Sequence, residues 1–129
     1  FEVPSIPAGS TAHSPNDVPL VRARTLSITV RLDFHASATN DATVYVYYSP
    51  DGNNWDTVAY ASFDIPLTAG STVQRTVPID MPEHGYFKVS VKNNDSSYAI
   101  SNLKVWYTIQ SWENKQQYGS ILKDSQEEG

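Results

Sequence analysis

The stretch LSITVRLDFHA, Leu26 to Ala36, sets an apolar residue at every even position and a polar one at every odd position between them. A β-strand turns successive side chains to opposite faces, whereas a helix groups residues three or four apart. The period is two, so the stretch predicts a half-buried strand with Leu26, Ile28, Val30, Leu32 and Phe34 facing a core. The same alternation recurs in Thr43 to Ser49, where Val44, Val46 and Tyr48 share a face, and in Ala59 to Leu67, through Ala61, Phe63, Ile65 and Leu67. Further strands are expected at Thr72 to Ile79, Tyr86 to Lys92 and Leu103 to Gln110.

Between these runs stand Ala-Thr-Asn-Asp, Ser-Pro-Asp-Gly, Thr-Ala-Gly-Ser, Met-Pro-Glu-His-Gly and Asn-Asn-Asp-Ser-Ser, all rich in residues that pre-set φ or accept left-handed geometry. No long helical pattern interrupts the series, which disfavours parallel crossover units. The expected fold is all-β: an antiparallel β-sandwich, jelly-roll or immunoglobulin-like, with an extended N-terminal arm. There is no internal repeat. Residues 1–18, with their prolines, glycine and hydroxyl residues, read as the arm, 19–112 as the sandwich, and 113–129 as a polar tail or short helix.

Composition narrows the function classes. The 129 residues make one domain, and 40% apolar content suffices for a core. No apolar run approaches the roughly 20 residues of a membrane-spanning helix. The net charge of −5 and scattered basic residues disfavour nucleic acid, and Arg22, Arg24 and Arg31 are expected on a solvated strand face. The absence of cysteine excludes disulfides and thiolate chemistry. The chain begins with Phe1 rather than Met, and removal of a secretory signal before it is the expected reason.

The run Ser49-Pro-Asp-Gly-Asn-Asn-Trp55 resembles two known hairpins. Ser49, Asp51, Gly52 and Trp55 match the Ser-x-Asp-Gly-x-x-Trp run of discoidin-like sandwiches, whereas the Asp-box of sialidase-like propellers needs one more residue before the glycine. In both families the motif is hairpin scaffolding, so the stretch is expected to be a turn. Asp51, Asn53, Asn54 and Asp56 offer oxygen ligands, but their spacing is not that of an EF-hand and no metal or cofactor is expected.

Catalysis has little support. His13, His35 and His84 fall in separate segments, and the one acid-base pairing on offer is His35 with Asp33 on the outward face of a strand. Outward aromatics say more. Tyr45, Tyr47 and Trp106 all fall on outward positions, and large exposed rings call for a covering partner: a sugar, the arm or tail, another subunit or a second sheet. Asn94-Asp95-Ser96 is an N-glycosylation triplet in a turn.

The arm supplies the leading functional expectation. Eighteen extended residues reach tens of ångströms at roughly 3.3 Å each, enough to lie on a neighbouring sandwich with Phe1, Val3 and Ile6 in its pockets. In architecture this is similar to the strand-exchange subunits of pili. It implies a non-catalytic, head-to-tail homopolymer on a cell or virion surface. Pro4 and Pro7 oppose a long donor strand, so Val18 to Thr25 is the better strand. The alternative expectation is an extracellular carbohydrate-binding module that stacks glycans on Tyr45, Tyr47 and Trp106.

Overall fold

The computed structural model describes residues 1–111 and 116–120. Ten strands are present among them: β1 (Glu2–Ile6), β2 (Thr11–His13), β3 (Val18–Val21), β4 (Ala23–Phe34), β5 (Ala42–Ser49), β6 (Ala61–Ile65), β7 (Thr72–Asp80), β8 (His84–Asn93), β9 (Ile100–Ser111) and β10 (Gln116–Ser120). All pair antiparallel, in two sheets packed as a sandwich. Sheet A has the order β1-β9-β4-β7, and sheet B the order β2-β8-β5-β6; β10 lies beyond β1 along β9, and β3 beyond β2 along β8.

If β2 and β3 are taken as one position, four strands of each sheet interleave in chain order as 1-8-3-6 and 2-7-4-5. That is the jelly-roll, two Greek keys wrapped together, and it decides between the two expected sandwich types. No helix in the described residues is long and apolar enough to cross a membrane.

The alternation read from the sequence closes the core. Leu26, Ile28, Val30 and Leu32 of β4 are fully buried, opposite Val44 and Val46 of β5 and Phe87, Val89 and Val91 of β8. Burying each such side chain contributes about 1.5–3 kcal/mol, and a one-residue register slip would turn the whole row to water. Strand prolines fall on edge strands: Pro4 in β1, Pro19 in β3 and Pro78 in β7, where a missing N-H interrupts no interior ladder. At the sandwich's open side Arg75 of β7 covers the short edge strand β6, donating to the Asp64 carbonyl with its guanidinium 5.7 Å above the Phe63 ring.

The N-terminal segment is the main correction. Residues 1–18 are not an arm outside the sandwich, because they supply the first strands of the jelly-roll. β1 pairs with β9 of the same chain from Glu2↔Lys104 to Ile6↔Ile100, and β2 pairs with β8. Phe1 and Ile6 are buried in the core and Val3 packs against it. Val18 to Thr25 is likewise not one strand. β3 pairs with β8 in sheet B, Arg22 adopts φ 50°, and β4 starts at Ala23 in sheet A. The chain changes sheet at that residue.

The described part of the predicted tail is also strand: Gln116 to Ser120 pairs with β9, so it is neither loose nor helical there. Ile121 and Leu122 lie outside the described residues.

Candidate functional site

The three outward aromatics do not form one platform. Tyr45 and Tyr47 stand on β5 in sheet B, whereas Trp106 stands on β9 in sheet A. Each points away from the core as the alternation required, and the two groups therefore sit on opposite faces of the sandwich.

Trp106 borders an open groove of about 260 Å³ lined with Thr29 of β4, Gln74 of β7 and Thr108 of β9. The register explains the grouping. Trp106 is opposite Thr29, which in turn is opposite Thr76, while Arg31 lies between Lys104 and Gln74 one row along. The Thr29 and Thr76 hydroxyls are 2.7 Å apart and share a hydrogen bond. β10 flanks the same stretch, with Ser120 in register with Trp106. Among the described residues the lining is one indole, two hydroxyls and a carboxamide. Such a set offers an apolar ring face beside neutral donors and acceptors, the chemistry that suits an uncharged polyhydroxylated ligand.

On sheet B, Tyr45 and Tyr47 lie with ring centroids 6.4 Å apart and planes 29° from parallel. Trp55 folds back from the β5–β6 loop, and the Lys88 ammonium sits 4.4 Å from its ring centre. In the sequence Trp55 is only the last residue of a turn motif, with nothing to pair it with Lys88. Its position depends on β8 lying next to β5, which spacing within the hairpin does not reveal.

The Ser-Pro-Asp-Gly stretch is a turn. Ser49 Oγ accepts from the Gly52 amide at 2.8 Å, and Asp51 Oδ1 accepts from the amides of Asn53 and Asn54, each at 2.8 Å. Gly52 has φ 81°, and a side chain there would press on the Tyr86 ring. The Asn54 and Asn53 amides hold the Asp51 carboxyl well below the usual carboxylate range. Its oxygens are committed to its own loop.

The His35–Asp33 pairing does not form. His35 stacks on Tyr98 with centroids 4.5 Å apart and accepts from the Ser37 amide. Asp33 instead accepts from Asn102 Nδ2 and from Thr72 Oγ1, which together keep its pKa low. His13 Nδ1 meets Ser90 Oγ at 2.8 Å, and His84 contributes its carbonyl to the Tyr48 hydroxyl. No group of three or more potential metal ligands occurs among the described residues.

Asn94 is tied into the fold. Its side-chain amide donates to Asp41 Oδ1 at 2.9 Å and to Thr43 Oγ1 at 2.8 Å, so both protons of the would-be glycan acceptor are engaged.

The residues expected to dock on a neighbour dock at home. The Phe1 ammonium donates to the Val105 carbonyl at 2.6 Å, and the Val105 amide returns a bond to the Phe1 carbonyl at 2.7 Å. Burial lowers the pKa of that amine to about 5.

No family model matches the chain, and no curated protein sequence matches it. Solved structures with a similar strand arrangement include the Yersinia pseudotuberculosis-derived mitogen, at 16% identity and a TM-score of 0.48 over 81% of this chain and 80% of that one. A family 16 carbohydrate-binding module matches at 15% identity and a TM-score of 0.47, over 90% of this chain and 74% of that one. A carbohydrate-binding module of the Cellvibrio mixtus lichenase 5A, solved with cellotriose, matches at 16% identity and 0.43, over 78% and 72%.

Proposed function

We propose that this protein is a non-catalytic, extracellular carbohydrate-binding module that takes an uncharged glycan in the groove beside Trp106. The observation that carries the reading is the lining itself: an indole on a sheet face, bordered among the described residues by the uncharged Thr29, Gln74 and Thr108. A pyranose has an apolar face for the ring and equatorial hydroxyls for the neighbouring oxygens and amide. The site needs no metal and no acid-base pair to bind in this way.

The test is native affinity electrophoresis through gels holding uncharged polysaccharides, with wild type and Trp106→Ala side by side. Retardation of the wild type, lost in the variant without change in solution size, supports the reading. Wild type that migrates unretarded through every uncharged polysaccharide rejects it.

The fibre-subunit reading is less well supported, because its donor segment is occupied. To reach a neighbour, residues 1–6 would have to give up the β9 pairing and the burial of Phe1 and Ile6 in their own core. Unless a second copy offers the same strand position, that exchange loses two buried side chains at about 1.5–3 kcal/mol each.

A further inference from the structure

The outer face of sheet B is a different kind of surface from the Trp106 groove, and its composition is legible strand by strand. On β5 the outward positions are Thr43, Tyr45 and Tyr47. On β8 they are Lys92 opposite Thr43, Ser90 opposite Tyr45 and Lys88 opposite Tyr47. An aromatic row thus runs beside a row that alternates lysine, serine, lysine. At about 3.4 Å per residue the two lysines are roughly 14 Å apart along the strand.

Three features set this face apart. Tyr45 and Tyr47 present near-parallel rings along one line rather than a single isolated ring. Trp55, from the β5–β6 loop, lies beneath the Lys88 ammonium. The chain carries a net charge of −5, yet both β8 lysines on this face stand without a carboxylate in ion-pair contact among the described residues. Two acids border this face at its Thr43 end: Asp64 accepts from the Thr43 hydroxyl at 3.0 Å, across β5 from the lysines, and Asp41 accepts from Asn94 Nδ2 at 2.9 Å, one row beyond Lys92. The two lysines thus lie along the β8 side of the tyrosine row, with Lys88 directly opposite Tyr47.

We propose that the outer face of sheet B binds an acidic polysaccharide chain, laid along β5 with its sugar faces on Tyr45 and Tyr47 and its carboxylates toward Lys88 and Lys92. An uronate polymer offers an apolar ring face and one carboxylate per sugar along its edge, and that pairing matches a ring row beside an ammonium row. A free sugar acid would engage one lysine only, so a polymer gains from both. This surface is separate from the Trp106 groove and does not depend on it. With both in use, one copy of the chain would bridge a neutral and an acidic glycan on opposite sides of the sandwich.

The experiment uses polygalacturonate as the probe and an uncharged galactan as control, in affinity electrophoresis with the full chain. Wild type and Trp106→Ala are expected to be retarded by polygalacturonate alike. Tyr45→Ala/Tyr47→Ala and Lys88→Gln/Lys92→Gln are each expected to bind at least about tenfold more weakly, with unchanged gel-filtration volume and circular dichroism. Raising the salt from ~50 to ~200 mM should weaken wild-type binding roughly three- to tenfold, as counterion displacement at two lysines requires. Should the tyrosine variant misfold, Lys88→Gln/Lys92→Gln decides the matter, since both lysines point to the outer face of the sheet and neither belongs to the core cluster. The proposal is overturned if wild type ignores polygalacturonate, if the lysine variant binds as wild type does, or if Trp106→Ala alone removes the binding. The last outcome places the acidic ligand in the sheet A groove, whereas failure with galactan bears only on the neutral-glycan reading and leaves this face intact.

Discussion

The side-chain amide of Asn93 donates to the carbonyl of Ile6 at 3.1 Å, and Asn93 is fully buried. The same nitrogen donates to the Tyr98 carbonyl at 2.9 Å, while its oxygen accepts from the Asp95 amide at 3.0 Å. Two residues on, Asp95 accepts from the amides of Thr39, Asn40, Ser97 and Tyr98, and its own carbonyl takes the Gly9 amide. The Asn93-Asn94-Asp95 corner thereby joins three chain segments: the start of the chain, the β4–β5 loop and the β8–β9 turn.

Replacing Asn93 tests that junction. Asn93→Leu is nearly the same size but leaves the Ile6 and Tyr98 carbonyls buried without donors, and each such loss costs about 1–3 kcal/mol. We expect chemical denaturation to show a destabilisation of about 2–4 kcal/mol with an unchanged slope. A change under ~0.5 kcal/mol would mean that water replaces the amide.

Deleting Phe1 to Asp17 separates the two views of the N-terminal segment. The jelly-roll loses β1 and β2, uncovers the β9 edge, and exposes the sites filled by Phe1 and Ile6. The truncated chain is expected to lose its cooperative thermal transition or to aggregate through the opened edges. A folded, stable monomer after the deletion would show instead that the segment is dispensable to the body, as a polymerising arm would be.

The polar groups beside Trp106 should rank below the ring. Thr29→Val and Gln74→Ala are each expected to weaken glycan binding about three- to tenfold, and Trp106→Ala about thirtyfold, measured by isothermal titration against the polysaccharide that retards the wild type. Because Trp106 is on the outer face, its loss should change the unfolding free energy by no more than about 1 kcal/mol.

Acid stability follows from Asp95. Its carboxyl is held well below its ordinary value of 3.8, first by the Thr39 amide and next by that of Ser97, against the opposing effect of burial. A depressed folded-state pKa gives a stabilisation that is complete above the unfolded value and declines as pH falls toward the folded one. Wild type should therefore lose stability progressively below about pH 4. Asp95→Asn should be less stable at neutral pH and show a flatter acid limb, which melting midpoints between pH 2 and 7 will reveal. Asp51 has the same sign and would leave part of the slope in place.

The strands from Leu26 onward were legible because their period-two alternation survives in the sequence without interruption, and the core of β4, β5, β8 and β9 follows it residue by residue. The turn at Ser49 to Trp55 was legible for a similar reason: Asp51 and Gly52 act on backbone within three residues of themselves. The candidate sites were legible only by half. Alternation gives the face on which Tyr45, Tyr47 and Trp106 emerge, but not which sheet each strand joins, so three rings that looked like one platform divide between two. Lys88 next to Tyr47 and Thr29 next to Trp106 are cross-strand neighbours, set by register between segments that are distant in the chain.

Local periodicity and turn chemistry thus determined that this chain makes strands, where most of them run and which side of each is apolar. The tertiary structure alone decided the strand order, and with it the fate of the first eighteen residues. Phe1 and Ile6 show no useful pattern among the prolines around them; their burial comes from an opening beside β9 that exists only once both sheets have formed. Burial against a surface assembled from remote segments leaves no local trace, since the energy belongs to the contact and not to the stretch that makes it.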